Sequence, residues 1–317
     1  MAQTVAVPRA EPGTPSPQEG GRGRTTALVR RERRLGYLMV APTVIVLLFV
    51  TAFPLVYNFW NSFHNVILNQ PGPHGFSGLK NYADLFTQQG FLGSLVRTLG
   101  FTAVSVAFEM VVGLGLAVLI NKAFPGRGLV RAAILVPWAV PTVVSAMLWK
   151  TMFDPRSGFV DYLLGQLHLP GSNISWLTGQ WTSWTAVFVA DAWKNVPFIA
   201  IILLAGLQVI PDEVYEAARI DGASAWQSFR RMTLPLLKPA LLVALVFRTL
   251  QAFLIFDVIY IMTGGGPGTS TETLSFLDYQ AFINQFNFGY GGAIAIMLVV
   301  LSLIIAGIYV KVLRPST

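Results

Sequence analysis

The chain has 317 residues, of which 54% are hydrophobic and 12% charged, whereas a soluble domain carries about 25% charged residues, so a polytopic membrane protein is expected instead. Its formal net charge of +7 raises nucleic acid as a partner, but the basic residues flank apolar runs, which is a topology signal and not a binding patch. The absence of cysteine excludes disulfides, thiol nucleophiles and Cys-based metal sites, and His64, His74 and His168 lie too far apart on predicted outer loops to suggest another metal centre.

Residues 1–30 are rich in Pro, Gly, Arg and Ser and carry almost no large apolar side chains. They cannot bury enough surface to order themselves, and residues 1–34 read as a disordered basic tail ending in Arg30, Arg31, Arg33 and Arg34. Leu35–Phe63 is far longer than the core of a signal peptide and reads as an uncleaved first span. Five further runs approach the ~20 apolar residues that a bilayer core requires: Leu95–Asn121, Val130–Phe153, Thr182–Val209, Leu236–Met262 and Gly291–Val310. The fold class is therefore all-α, with a six-helix transmembrane domain over residues 35–313. Pro42, Pro54, Pro137, Pro141 and Pro197 fall inside these spans and predict kinks around a cavity.

Orientation follows from the basic residues. Sixteen Lys and Arg fall on the side of both termini, and four (Lys80, Arg97, Lys150, Arg156) on the other. The positive-inside rule then places both termini and the 211–235 connection in the cytoplasm, with loops 64–94, 154–181 and 263–290 outside. The outer loops carry Trp176, Trp181, Trp184, Tyr82, Tyr279 and Tyr290, as an interfacial aromatic belt does.

The polar stretch between the fourth and fifth runs is too long for a simple turn. Pro211 suits a first helical turn, and Asp212 and Glu213 place negative charge at a helix N-terminus. Gly222 supplies the corner where that helix stops; Ser224 can cap a second short helix, which Pro235 would end. Ala217 and Ala218 would let another protein approach closely. A helix–Gly–helix knob on the end of a membrane bundle suits docking into a groove on a partner.

Inside the spans lie Glu109, Asp191, Lys194, Asn195, Arg248, Gln251 and Asp257. A charge at mid-membrane costs at least about 2.5–3.5 kcal/mol, so such groups face partners or a wet cavity. Asp191, Lys194 and Asn195 share one helix face by their spacing, as do Arg248 and Gln251. Interhelical ion pairs, Lys194 with Asp257 or Arg248 with Glu109, and a lining for a substrate path are both open readings, and they are compatible. No G-x-x-x-x-G-K-[ST] is present, so the chain is no P-loop ATPase, and no paired carboxylates or Ser/His/Asp set suggests an enzyme.

Glu216-Ala217-Ala218, Gly222 four residues after Ala218, and Leu234-Pro235 together resemble the EAA…G…LP signature of permease subunits of binding-protein-dependent bacterial ABC importers. The glycine-rich turn Gly264–Gly268 is similar to the one after the fifth core span in that family. The resemblance spans roughly residues 35–313 and is nearest to maltose-type and actinobacterial trehalose-type permeases. It implies a type I ABC importer fold and alternating access driven from outside this chain. Glu216, Ala217, Ala218, Asp221 and Gly222 would form the coupling surface for the ATPase. The implied partners are a second permease subunit, two ATP-binding subunits that hold ATP and Mg, an extracytoplasmic sugar-binding protein or lipoprotein, and membrane lipid. The implied location is the bacterial cytoplasmic membrane, and no cofactor is expected on this chain.

In maltose-type permeases, polar residues of the fifth core span line the sugar site, and those positions fall on Arg248, Gln251, Ala252 and Ile255 here. Ala252 and Ile255 stand where the maltose-type pattern carries asparagine, so the pocket chemistry departs from that pattern. A disaccharide such as trehalose or a maltose-like sugar is the first candidate cargo, with glycerol phosphate and amino acids behind it. The bacterial resemblance implies that the Asn173-Ile174-Ser175 sequon is incidental. The rival readings are an ion-coupled secondary transporter relaying through Glu109, Asp191 and Asp257, and a non-transporting scaffold for an ATPase.

Overall fold

Apolar runs of this length must satisfy every backbone hydrogen bond internally once in lipid, and this chain does so as helices. The computed structural model describes residues 22–69, 75–87, 90–170 and 174–312. His74, Asn173, Arg314 and residues 1–21 of the expected tail lie outside them. In chain order the helices are α1 (Arg22–Ser62), α2 (Lys80–Thr87), α3 (Phe91–Asn121), α4 (Arg127–Ala139), α5 (Thr142–Met152), α6 (Phe159–Gln166) and α7 (Gln180–Gln208). They continue with α8 (Asp212–Ile220), α9 (Ala225–Ser228), α10 (Leu234–Leu236), α11 (Lys238–Phe253), α12 (Asp257–Met262), α13 (Leu274–Tyr279) and α14 (Phe288–Val312). No strand occurs among the described residues, only isolated bridges between His64 and Phe76 and between Ile67 and Asn287.

Five helical stretches are long and apolar enough to cross a membrane: Val29–Ser62, Phe91–Asn121, Gln180–Gln208, Lys238–Met262 and Phe288–Lys311. The expected third span is not one rod. It is the pair α4 and α5, bent by 90°. Pro141 is the cause: it has no N–H to give, and it drives Val140 into the extended region at φ −69°, ψ 131°. Pro42, Pro54, Pro137 and Pro197 stay inside continuous helices.

Two further differences concern helix ends. Residues 22–34, expected within the disordered tail, belong to α1. Arg, Ala, Leu and Glu are strong helix formers, and they extend a helix already nucleated by the apolar run. Pro235, expected to stop the second loop helix, does not stop it. A π-helical turn over Phe229–Thr233 precedes it, with Leu234 N–H reaching the Phe229 carbonyl, and the chain runs on through α10 into α11. The widened turn accommodates a residue that cannot donate.

The chain divides into two units at Val56. In the first, Val29–Val56 is helical with exposed side chains apart from half-buried Ala41. The second, from Tyr57 onward, is organised by α3 and α7. A Cβ on Gly113 of α3 would lie 2.7 Å from Ile199 Cγ2 of α7. One on Gly206 of α7 would lie 2.4 Å from Ala240 Cβ of α11. Small residues at these crossings let the helices approach, as membrane packing requires where no hydrophobic force acts between them. Below, Ile199, Leu203 and Leu207 pack with Ala117, Ile120 and Leu237. Above, Ala186 and Ala190 pack with Phe101, Ala146, Ile259 and Phe276.

The loop after α12 is pinned to the start of α3. Ser94 Oγ donates to Glu272 Oε1 at 2.8 Å, Arg97 Nε donates to the Glu272 carbonyl at 2.8 Å, and Leu274 N–H reaches Thr98 Oγ1 at 2.9 Å. Trp176 and Trp184, read as belt residues, make hydrogen bonds to Asp161 Oδ1 and the Ser270 carbonyl, whereas Trp181 is exposed.

Asp278, in this connection between α12 and α14, has Oδ1 buried without a hydrogen-bond partner among the described residues, and burial pushes its carboxyl up from 3.8 to about 7. A carboxyl raised on folding binds its proton more tightly in the native state. The associated stability is fully present below the ordinary value and is lost as pH rises through about 7. Thermal unfolding of the solubilised protein should therefore move to lower temperature between pH 5 and pH 8, and D278N should flatten that difference. An unchanged difference in D278N would assign the pH dependence to another group.

Candidate functional site

The first candidate surface is the loop built by α8 and α9. Helix α8 begins after Pro211 with Asp212 and Glu213 in its first turn. It ends in a Schellman arrangement: Ala223 N–H bonds the Ala218 carbonyl at 2.9 Å, Gly222 N–H bonds the Arg219 carbonyl at 3.1 Å, and Gly222 sits at φ +73°. A Cβ on Gly222 would meet no atom within 4 Å, so it is the left-handed backbone and not crowding that selects glycine. Ser224 caps α9 in a capping box with Gln227, at 3.3 Å and 2.8 Å.

Glu216, Ala217, Asp221 and Gly222 are exposed, and Glu216 pairs with Arg219 at 4.0 Å. Ala218 is buried, so the close approach it permits is to this chain's own helices, and only Ala217 offers a small side chain outward. Ile220 and Trp226, 86% and 67% exposed, add apolar surface beside them. Tyr215 OH meets Thr233 Oγ1 at 3.3 Å and ties α8 to the π-helical turn that leads into α11.

The second candidate is a cavity of about 580 Å³ within the membrane-spanning region. It lies where two spans are interrupted. The α4–α5 break contributes Trp138, Val140 and Pro141, and the α11–α12 break contributes Leu254, Ile255, Phe256 and Asp257. Helix α7 adds Asp191, Lys194 and Asn195, and α11 adds Arg248 and Gln251. Six of the seven polar residues named inside the spans thus line one cavity, and Glu109 does not. Ala252 is fully buried, whereas Ile255 lines the cavity.

Arg248, 2% exposed, is bound by Glu109 of α3 and Asp191 of α7 together. Its Nη2 also donates to Glu109 Oε1 at 2.9 Å and to Ser105 Oγ at 3.1 Å. Ser105 lies within 2.9 Å of Glu109 Oε1 and 3.0 Å of Asp191 Oδ2, and Asn195 Nδ2 donates to Asp191 Oδ1 at 2.9 Å. The Arg248–Glu109 pair therefore forms, with Asp191 as a third member that pairing by sequence did not include. Serine four residues before Glu109 on the same helix face was the available signal for Ser105.

The other pairing does not form. Lys194 Nζ donates to the carbonyls of Val140 and Trp138, and no ion pair joins it to Asp257 among the described residues. Pro141 prevents those carbonyls from finding helical partners, and an ammonium at a helix C-terminus satisfies both hydrogen bonding and dipole. Lys150 does the same from α5, donating to the Ile261 carbonyl of α12 at 2.8 Å. The break at 254–256 carries neither Pro nor Gly and left no trace in the sequence. Thr273 Oγ1 holds the Ile255 carbonyl there at 3.1 Å. Amides, one free carboxylate and the rings of Trp138 and Phe256 equip the cavity to hold a polar molecule.

Residues 109–316 match the family described as the binding-protein-dependent transport system inner membrane component. The trehalose/maltose transport system permease protein MalF of Thermococcus litoralis is 42% identical over 290 residues, 92% of this chain and 97% of that protein. The trehalose transport system permease protein SugA of Mycobacterium tuberculosis is 40% identical over 280 residues, 88% and 89% of the two chains. Among solved structures, a bacterial ABC transporter involved in the import of the acidic polysaccharide alginate superposes with a TM-score of 0.79 at 25% identity, covering 93% of this chain and 99% of its own. Family, fold and likeness agree, and this chain belongs to the inner-membrane permease components of binding-protein-dependent ABC importers, which are non-catalytic membrane subunits.

Proposed function

We propose that this subunit forms one half of the path by which a disaccharide, trehalose or a maltose-like sugar first, enters the cell by alternating access. The observation that carries the reading is the single cavity at two helix breaks, lined by six of the seven mid-span polar residues that a lipid environment would penalise. Its volume, about 580 Å³, suits a small ligand. The relatives named for trehalose and maltose transport support the choice of sugar. They also favour ATP-driven import over the ion-coupled alternative for Glu109, Asp191 and Asp257.

The partners in this reading are a second permease subunit, two ATPase subunits that bind ATP and Mg, and a sugar-binding protein on the outer side. A solved relative at 25% identity is described in complex with an oligosaccharide-bound periplasmic protein, which supports the last of these. Both termini and the α8–α9 loop face the cytoplasm, as the basic residues suggest. Glu216, Ala217, Asp221 and Gly222 present the docking surface, and Ala218 seats α8 on the bundle. ATPase closure then acts on α8 and, through Tyr215 and Thr233, on the helical run that carries Arg248 and Gln251 into the cavity wall. That is one linked element whose two positions nucleotide state can bias.

Proteoliposomes holding the full complex should take up labelled disaccharide only with ATP and binding protein, and dissipating ion gradients should leave uptake unchanged. Uptake sustained by an ion gradient without ATP would overturn the reading.

Coupling has its own test. Gly222→Leu places a branched-γ side chain at a left-handed position, at a cost of roughly 1–2 kcal/mol, and pushes bulk into the docking surface. Glu216→Lys reverses the charge there. Uptake should fall at least about tenfold in each, with ATP hydrolysis no longer stimulated by binding protein. Native uptake in either variant would remove the coupling role.

Within the cavity, Gln251→Leu should reduce uptake while assembly stays intact. Arg248→Ala should instead impair assembly, because it leaves two buried carboxylates unpaired at a cost of roughly 3–5 kcal/mol. Replacing all three charges together (Arg248→Met, Glu109→Gln, Asp191→Asn) should recover assembly measured by size-exclusion yield. Equal loss in the triple variant would mean that packing, not unpaired charge, is what Arg248→Ala destroys.

A further inference from the structure

A different cavity, of about 470 Å³, lies where the α1–α2 connection, helix α2 and the start of α14 meet, and it shares no lining residue with the one between the helix breaks. We infer that this junction is a separate binding site for a neutral polyhydroxylated ligand, a sugar or polyol. The inference stands on the junction's own groups and does not depend on which cargo the membrane cavity takes.

The junction is held by its backbone. Asn65 N–H donates to the Gly75 carbonyl at 2.9 Å, and Ser77 N–H to the Phe63 carbonyl at 2.8 Å. Two more bonds tie this loop to α14: Phe288 N–H to the Val66 carbonyl at 2.8 Å, and Leu68 N–H to the Phe286 carbonyl at 3.0 Å. Gly289 makes the approach possible, because a Cβ there would lie 2.3 Å from the His64 carbonyl oxygen. The cavity wall is therefore set by main-chain contacts before any ligand arrives.

Two buried polar side chains on that wall lack partners. Tyr290 and Asn81 are each 7% exposed, and both line the cavity. Asn81 Nδ2 donates to the Ser62 and His64 carbonyls at 2.8 Å and 3.0 Å, which fixes the orientation of the amide. Its Oδ1 takes no hydrogen bond among the described residues, and the Tyr290 hydroxyl makes none there. Buried polar groups are nearly always paired, so these two mark the place of a polar guest.

Lys80 and Asp84, one turn apart on the same face of α2, line the same cavity, and neither forms an ion pair among the described residues. Their charges cancel, so the site has no net attraction for an ion. What remains is a mixed set: an ammonium that donates, a carboxylate and an amide oxygen that accept, and a phenol that does either. A hydroxyl group both gives and takes, and neighbouring hydroxyls on one ring match such a set without leaving a member unpaired. The exposed ring of Phe76 adds an apolar face for the C–H side of a pyranose. The volume falls in the range of small-ligand sites.

The test uses one fluorine probe. The chain has no cysteine, so Leu68→Cys, exposed and next to the lining residue Ile67, gives this subunit a single site for a trifluoromethyl thiol label. The full transporter complex is titrated with trehalose, glucose and glycerol, and with glycine and phosphoethanolamine as zwitterions. The native complex, treated with the same label, supplies the background. The hydroxylated ligands should shift the fluorine resonance saturably, and the zwitterions should not. Tyr290→Phe, which removes only a hydroxyl, and D84N should each weaken the response roughly 3- to 10-fold, as loss of one hydrogen bond does. Gln251→Leu, in the membrane cavity, should leave it unchanged. Absence of a saturable shift with every hydroxylated ligand would overturn the inference, and an equal response to the zwitterions would overturn its ligand class. A native response in Tyr290→Phe and D84N alike, or loss of the response in Gln251→Leu, would place the guest elsewhere and overturn it too. ATP-driven uptake is measured independently, so either result here leaves the import reading where its own test puts it.

Discussion

The second unit of the chain depends on one buried guanidinium. Arg248 on α11 binds Glu109 on α3 and Asp191 on α7, and Ser105 and Asn195 satisfy the remaining lone pairs. Elsewhere these helices meet through small residues and dispersion contacts, which fix distance better than register. The charged cluster adds register. Sliding α11 by one turn relative to α3 and α7 would strand three charges in a low-dielectric interior, a cost far larger than any packing gain. Arg248 and Asp191 also line the cavity, so the same contacts that lock the bundle shape that space.

That space exists because two spans are interrupted at the same place. One interruption is chemical: Pro141 removes a donor and forces Val140 to extend. The other, at 254–256, is imposed by surroundings, with Thr273 from the loop after α12 holding the Ile255 carbonyl. Each leaves carbonyls without helical partners; Lys194 answers at the first and Thr273 at the second, while a second lysine serves the far end of α12. Lys194 caps α4, and Lys150 caps α12. These ammonium groups, costly in lipid, serve here as helix ends.

At the other end of α7, the α8–α9 loop is rigid by its own hydrogen bonds. The Schellman turn at Gly222 and the capping box at Ser224 need no help from the bundle. Below it, the π-helical turn over Phe229–Thr233 passes Pro235 without ending the helix. The loop and the cavity wall are therefore parts of one helical run, interrupted only locally, which is the mechanical property a driven permease needs.

What the sequence determined by itself is whatever local chemistry dictates. Apolar length set the spans, the basic asymmetry pointed to an orientation, and Pro211, Gly222 and Ser224 wrote the loop helices in order. Helical spacing put Asp191, Lys194 and Asn195 on one face, and mid-membrane cost marked the residues that had to meet. The tertiary structure alone decided with whom. Arg248 pairing with Glu109 was legible as an option; Asp191 as the third member was not, because partner choice depends on how α7 is rotated against α3. Lys194 was expected to seek a carboxylate. It took backbone carbonyls, because Pro141 turned a span into two helices and created acceptors no side-chain list contains. The break at Leu254–Phe256 has no sequence mark for the same reason: its cause lies eighteen residues along the chain, at Thr273, brought near only by folding.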